Sequence, residues 1–135
     1  MANQEHIELL RADVDGWNRW RAEAPAQEPH LAGADLYSAD LALADLSRAD
    51  LRCANLALAN LKGADLRGAD LRGANLVGAR LIGVDFSGAD VSGADLSTAE
   101  DLTPEQFEET IGDESTRLPD GVALPDRWLR PFDAR

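Results

Sequence analysis

The stretch that decides the fold reads ADLRGADLRGANLVGARLIG and spans Ala64–Gly83. It repeats a phrase of five residues, in which a small residue and an Asp or Asn precede an apolar residue and two variable positions follow. The phrase continues without a break over Ala34–Thr98, and its apolar residue recurs at a strict spacing of five over Leu31–Leu96. A fixed internal period of this kind indicates a stacked solenoid rather than an ordinary globule.

A period of five matches neither the 3.6 residues of a helical turn nor the 2.0 of a strand. In one long helix the apolar residues would spiral round the surface, and in one long strand they would alternate between faces. A chain that bends once per phrase avoids both problems. Each phrase then forms a short extended side and a corner, with the small and apolar residues inward and Asp or Asn outward. Successive coils would stack ~4.8 Å apart through ladder hydrogen bonds.

The run Ala64–Gly83 resembles the pentapeptide-repeat proteins, and the resemblance covers about half of the chain. It implies an all-β solenoid, a right-handed four-sided β-helix with four phrases per coil and with Ala and Leu filling the axis. Fourteen phrases at four per coil give about three and a half coils. The predicted structural core consists of Leu36, Leu41, Leu46, Leu51, Leu56, Leu61, Leu66, Leu71, Leu76, Leu81, Phe86, Val91 and Leu96.

The last position of the phrase divides the repeats into two groups. It is glycine throughout Gly63–Gly93, whereas most earlier repeats place Ser, Leu, Arg or Cys there. Glycine accepts a positive φ without steric cost, so the later corners are expected to be type II turns. We therefore predict a change of corner geometry near Gly63.

The flanking segments are predicted to close the open edges of the solenoid. Residues 1–28 form an N-terminal capping helix and linker, residues 29–100 the β-helix, and residues 101–135 a short helix and capping tail. The first helix is indicated by apolar residues at helical spacing, with Asn3 as N-cap and Pro25 as stop. The second begins with Thr103 as N-cap and Pro104 at its first position. Both flanks resemble those around pentapeptide repeats in other bacterial proteins.

No catalytic, cofactor-binding or metal site is expected. The two histidines, His6 and His30, have no Cys partner at metal-ligand spacing, and the periodic aspartates are expected to be solvated. The single cysteine, Cys53, excludes an internal disulfide and favours a reducing cytoplasm. No apolar stretch reaches the ~20 residues that span a bilayer, and no secretory leader precedes the repeats.

The net charge of −12 suggests one specific function. Some pentapeptide-repeat proteins protect type II topoisomerases by presenting an acidic rod that imitates DNA. Here the charge is −3 over residues 1–28 (six acids, three bases), −4 over 29–100 (ten and six) and −5 over 101–135 (nine and four). The rod is therefore the most nearly balanced segment for its length. Four phrases per coil would also set Arg52 and Arg72 beside the column of Asp50, Asp70 and Asp90.

Apolar residues at outward positions suggest a different function. Tyr37, Leu58, Val77 and Ile82 interrupt the polar surface, with Leu43 nearby, and form the candidate interaction surface. The alternative is that a flanking segment, 122–132, simply covers them. We predict a non-catalytic scaffold or protein-interaction module; the alternative function is an acidic DNA mimic that binds a topoisomerase or another nucleic-acid-binding protein. The expected partner is another protein, with no direct nucleic-acid binding, no membrane insertion, and a monomer or weak dimer.

Overall fold

Four phrases of five residues complete one coil in the computed structural model, which describes residues 3–129. Each residue on a side therefore lies beside the residue twenty positions further along the chain. The coils are joined by parallel pairings of single residues rather than by long strands. Four columns result: His30 with Asp50, Asp70, Asp90 and Ile111; Asp35 with Asn55, Asn75, Asp95 and Arg117; Asp40 with Asn60, Arg80 and Glu100; and Asp45 with Asp65 and Asp85.

We name each side of the rod after one of its outward residues. The Tyr37 side consists of 35–37, 55–57, 75–77 and 95–97. The Lys62 side consists of 40–42, 60–62 and 80–82. The Arg67 side consists of 45–47, 65–67 and 85–87, and the Arg72 side of 30–32, 50–52, 70–72 and 90–92.

The axis of the rod is filled by the apolar residue and the small residue of each phrase. All thirteen predicted core side chains are buried, and so are the Ala residues, with Val84 in the place of one of them. Leu61 has no exposed surface, and twenty residues separate it from Leu41 in the coil before and from Leu81 in the coil after. Two inward positions per phrase thus make one continuous hydrophobic core along the rod.

The predicted change of corner geometry near Gly63 is wrong. Every corner is a turn whose third residue has a positive φ, 57° at Ser38 and 60° at Leu58 as well as 68° at Gly63. The stacking imposes this conformation on side-chain-bearing residues, because the Leu58 N–H donates to Val77 O at 2.9 Å and the next N–H closes the turn. These hydrogen bonds and the core offset a left-handed strain of roughly 1–2 kcal/mol per residue.

The outward Asp or Asn of the phrase has a structural task. Its Oδ1 atom accepts the backbone N–H of the residue two positions on, at the start of the corner, as Asp85 does from Ser87 at 3.0 Å. Twelve phrases repeat this bond. Asp and Asn are suited to it because their short side chains bond their own backbone two residues on. The recurrence of these residue types thus follows from the corner.

Two helices, rather than the predicted single one, precede the coils. Helix α1 is Gln4–Ala12 and helix α2 is Val14–Glu23. They meet at Asp13, whose φ of −157° ends α1 and whose carboxylate caps α2 by accepting the Gly16 N–H at 2.9 Å. Asn3 caps α1 as predicted. The bend at Asp13 lets both helices turn an apolar face, with Leu10 and Trp17 fully buried, onto the first coil.

Side chains of the helices satisfy hydrogen-bonding groups at the open edge of the first coil. Trp17 Nε1 donates to Asp45 O at 2.8 Å, and Arg21 donates to Asp45 O at 2.8 Å and to Ser47 O at 2.9 Å. Asn18 Oδ1 accepts the Asp45 N–H at 2.8 Å. Burial lowers the pKa of Arg21, and the charge of Asp45 opposes that shift. The cap therefore replaces a missing coil with side-chain donors and acceptors.

The ladder continues past the repeats into a sequence without the phrase. The Val91 N–H donates to Ile111 O and the Leu96 N–H to Arg117 O, both at 2.7 Å. Beside these residues, Thr110 and Thr116 are buried, and their hydroxyls donate to backbone carbonyls of the last coil. The stack is thus longer than the phrases alone predict.

Aromatic rings close the C-terminal end of the axis. A short 3₁₀ helix, Pro104–Phe107, follows the predicted N-cap Thr103, whose N–H donates to Gln106 Oε1 at 2.8 Å in a capping box. The Phe107 ring lies between those of Phe86 and Trp128, with centroids 5.6 and 5.4 Å away. Trp128 belongs to a second 3₁₀ helix, Asp126–Trp128, and covers Gly112.

Candidate interaction surface

The predicted apolar surface lies on two adjacent sides of the rod. Tyr37 and Val77 lie on the Tyr37 side, Ile82 on the Lys62 side, and Leu58 at the corner between them. Tyr37, Leu58 and Ile82 are 48%, 52% and 46% exposed, and Val77 is half-buried. The buried Ala57 lies between Tyr37 and Val77 in the same column. Tyr37, Leu58 and Val77 therefore flank one corner of the rod, whereas Ile82 begins the turn at the other end of the Lys62 side.

The C-terminal tail does not cover this surface in the part of the chain that the structure describes. Residues 122–129 reach the end of the axis, where Trp128 Nε1 donates to Thr110 O at 2.9 Å. The alternative that residues 122–132 cover the apolar residues is therefore wrong for residues 122–129. Residues 130–132 lie outside the described residues. The tail fills the end of the axis instead, because Gly112 leaves room there for an indole ring.

Two leucines occupy corners: Leu58, which is already part of the surface, and Leu43, at the other corner of the Lys62 side. Leu43 and Leu58 have φ of 65° and 60°, and Leu43 is 70% exposed. Each lies over a glycine of the next coil: a Cβ atom on Gly63 would come within 2.8 Å of Leu43 Cδ2, and one on Gly78 within 2.5 Å of Leu58 Cδ2. The glycines thus make room for the leucine side chains. A pairing of large corner residues with glycines twenty positions later is a signal that the sequence carries.

The acidic columns are partly neutralised. On the Arg67 and Arg72 sides, Arg52, Arg67 and Arg72 each bond both oxygens of the aspartate two positions before, at 2.6–2.9 Å. These hydrogen bonds, more than any other cause, hold the pKa of Asp50, Asp65 and Asp70 below the usual range, and raise the pKa of each arginine. The two sides therefore present ion pairs at these three aspartates, next to the carboxylates of Asp85 and Asp90, which accept the backbone N–H of a serine.

The two histidines lie together at the N-terminal end of the rod. His6 lies against Trp17, Trp20 and His30, and its Nδ1 accepts the His30 N–H at 3.5 Å. Burial, and then the charge of His30, lower the pKa of His6. Among residues 3–129, no group of His, Cys, Asp and Glu is arranged to hold a metal ion. Cys53 is an exposed corner thiol. No helix within 3–129 has the length and apolar character needed to span a bilayer.

Comparison with known proteins assigns the family. A family model described as pentapeptide repeats matches eight copies over residues 30–68 and 59–97, which together span half of the chain. The chain therefore belongs to the pentapeptide-repeat family, and its fold is the right-handed four-sided β-helix of that family.

Solved structures of the same family resemble the chain. A pentapeptide repeat protein from the cyanobacterium Cyanothece 51142 is 33% identical over 67% of this chain and 63% of its own, with a TM-score of 0.57. The chain thus spans slightly less than two thirds of that protein. One from Nostoc Pcc 7120 is 29% identical over 96% of this chain and 94% of its own, with a TM-score of 0.47. One from the Arabidopsis thaliana thylakoid lumen is 31% identical over 72% of each chain, with a TM-score of 0.44. No curated protein sequence matches the chain.

Proposed function

We propose that the protein is a non-catalytic scaffold that binds another protein through Tyr37, Leu58, Val77 and Ile82. The observation that carries the proposal is Leu58, which combines a positive φ with a half-exposed apolar side chain. The first costs backbone strain and the second leaves hydrocarbon in water. Glycine, which occupies the same corner in the next coil at Gly78, would remove both costs. The Leu58 side chain covers Gly78, but about half of it stays exposed, and contact with a partner would remove that hydrocarbon from water.

The alternative function is an acidic DNA mimic that binds a type II topoisomerase. The net charge of −12 favours it. The pairing of Asp50, Asp65 and Asp70 with arginines counts against it, because a basic groove would meet ion pairs where DNA presents unpaired phosphates. Because side chains fill the axis of the rod, we propose that the protein acts through its outer surface. We also propose that it acts in the cytoplasm as a monomer or weak dimer, without a cofactor.

A three-way capture experiment separates the two functions. The wild-type protein, a Leu58→Gly/Ile82→Ser variant and an Asp50→Asn/Asp70→Asn variant would be immobilised and exposed to extract of the source organism. We expect one protein to be retained by the wild type and by the Asn variant but lost from the Gly/Ser variant, with little dependence on salt. Loss from the Asn variant alone, with steep salt dependence and inhibition of supercoiling by a topoisomerase, would favour the mimic.

Equal retention by all three proteins would contradict the scaffold proposal at these residues. Circular dichroism and thermal melting provide the folding control, because Leu58→Gly is expected to leave the fold intact. The comparison thus tests the surface rather than the stability of the rod.

A further inference from the structure

The six cations of residues 29–100 differ in whether their side chains have a partner. Lys62 and Arg80 make no ion pair or side-chain hydrogen bond within the described residues, and both lie on the Lys62 side. The remaining four bond a carboxylate or a backbone carbonyl: Arg48, Arg52, Arg67 and Arg72. The unpartnered positive charge of the rod is therefore concentrated on one side.

Neither Lys62 nor Arg80 has the acid two positions before it that pairs with each of the arginines on the other sides. Lys62 follows Asn60, whereas Arg67 follows Asp65 at the same spacing. The Asn60 amide still holds the corner, since its Oδ1 accepts the Lys62 N–H at 3.1 Å, but it carries no charge. Arg80 itself occupies an outward position that Asp or Asn fills in the coils before it. The Lys62 side thus keeps the corner geometry of the other sides, but its two cations lack the ion pair with an aspartate two positions before.

These two cations lie beside the apolar surface. The Leu61 N–H donates to Arg80 O at 3.0 Å and the Gly63 N–H to Ile82 O at 2.9 Å, so Lys62 is adjacent to both Arg80 and Ile82. They line an open groove of about 420 Å³ together with Asn60, Glu100 and Asp101. Leu58 stands at the corner bordering the same side. Positive charge and hydrocarbon therefore meet in one groove.

We propose that the groove of the Lys62 side binds a protein segment that carries an Asp or Glu carboxylate flanked by apolar side chains. The carboxylate bonds Lys62 and Arg80, and the apolar neighbours pack on Ile82 and Leu58. A polyphosphate fits less well, because its several negative charges would also meet Glu100 and Asp101, which line the same groove, whereas a single carboxylate needs only the two cations. The inference rests on the proposed function and gives the chemistry of its partner.

Matched synthetic peptides test the inference. Two acetylated, amidated pentapeptides, one alternating Leu with Glu and one alternating Leu with Gln, would be titrated into the full-length ¹⁵N-labelled protein. We expect the Glu peptide to shift the amide signals of 60–62 and 80–82 saturably, and to bind about fivefold more tightly than the Gln peptide. A Lys62→Gln/Arg80→Gln variant should lose that preference. Arg72→Gln, a charge loss on another side, serves as control and should keep it.

Three results would overturn the inference: no saturable binding, equal binding of the two peptides, or shifts centred on the Arg72 side. Its failure is distinguishable from failure of the proposed function. If Lys62→Gln/Arg80→Gln retains the captured partner and Leu58→Gly/Ile82→Ser loses it, the scaffold stands and the carboxylate contact does not. If neither variant loses the partner, the surface itself is wrong.

Discussion

The side-chain bond at each corner makes a quantitative prediction at Asp95. Its Oδ1 accepts both the Ser97 N–H at 3.0 Å and the Ser97 hydroxyl at 2.6 Å, and the site is partly buried. A net hydrogen bond contributes about 0.5–1.5 kcal/mol, and partial exposure places these two toward the lower end. We therefore expect Asp95→Ala to cost about 1–2 kcal/mol. Asp95→Asn, which keeps the Oδ1 acceptor, should cost less than about 0.5 kcal/mol.

Thermal and chemical unfolding followed by circular dichroism would measure these differences. One kcal/mol lowers the melting temperature of a domain of this size by about 3–5 °C, so Asp95→Ala should lose roughly 3–10 °C. Ser97→Ala removes only the hydroxyl bond, and its combination with Asp95→Ala isolates the coupling of the pair. If Asp95→Ala and Asp95→Asn prove equally stable, the corner bonds contribute nothing and solubility must account for the repeated acids.

Three further perturbations test other parts of the structure. Leu61→Ala should cost about 2–5 kcal/mol in chemical unfolding, and Leu61→Asp more, because a carboxylate would be buried without a partner; unchanged unfolding would refute the axial position. Gly78→Ala and Gly83→Ala should each lower the free energy of unfolding by about 1–2 kcal/mol, because alanine is strained at a positive φ. Only Gly78→Ala should displace Leu58 and weaken capture of the partner, and equal capture by the two variants would contradict a contact between Leu58 and the partner. The lowered pKa of His6 means that the unfolded chain binds the proton more readily than the folded protein does, so stability should fall as the pH drops below about 6.5. The loss of stability should be smaller in His6→Gln. Identical melting profiles of the two proteins over about pH 7.5–5 would exclude the effect.

The sequence was sufficient for the fold because the period acts on every coil at once. A spacing of five at Leu61 and its equivalents has one solution that buries all of them, and the predicted fold class and family are confirmed. The corners were predicted wrongly because the prediction used the local preference of glycine for positive φ. The hydrogen-bond ladder between coils imposes positive φ on Leu58 and its equivalents as well. Local preference is weak where a stacked coil supplies two backbone hydrogen bonds per corner.

The features that sequence reasoning missed depend on contacts between distant segments. The break at Asp13 follows from the docking of two helices on one coil. The additional ladder pairings at Ile111 and Arg117 lie in a sequence that does not contain the five-residue phrase. The four residues of the candidate interaction surface were predicted from the sequence because outward apolar residues violate a strict pattern, and their role in binding stays a prediction. Lys62 and Arg80, which we propose as part of the same surface, carry no such signal, since their lack of partners is visible only when every side chain has a position.

The twenty-residue coil also limits how such a chain can change its length. Inserting four phrases would lengthen the rod by one step of ~4.8 Å and leave each downstream residue on its former side. Inserting a single phrase would turn everything beyond it by a quarter revolution, so that Val77 would part from Tyr37 and the tail would meet the stack in a new orientation. The length of the rod can therefore vary only by whole coils if the two ends and the surface between them are to keep their alignment.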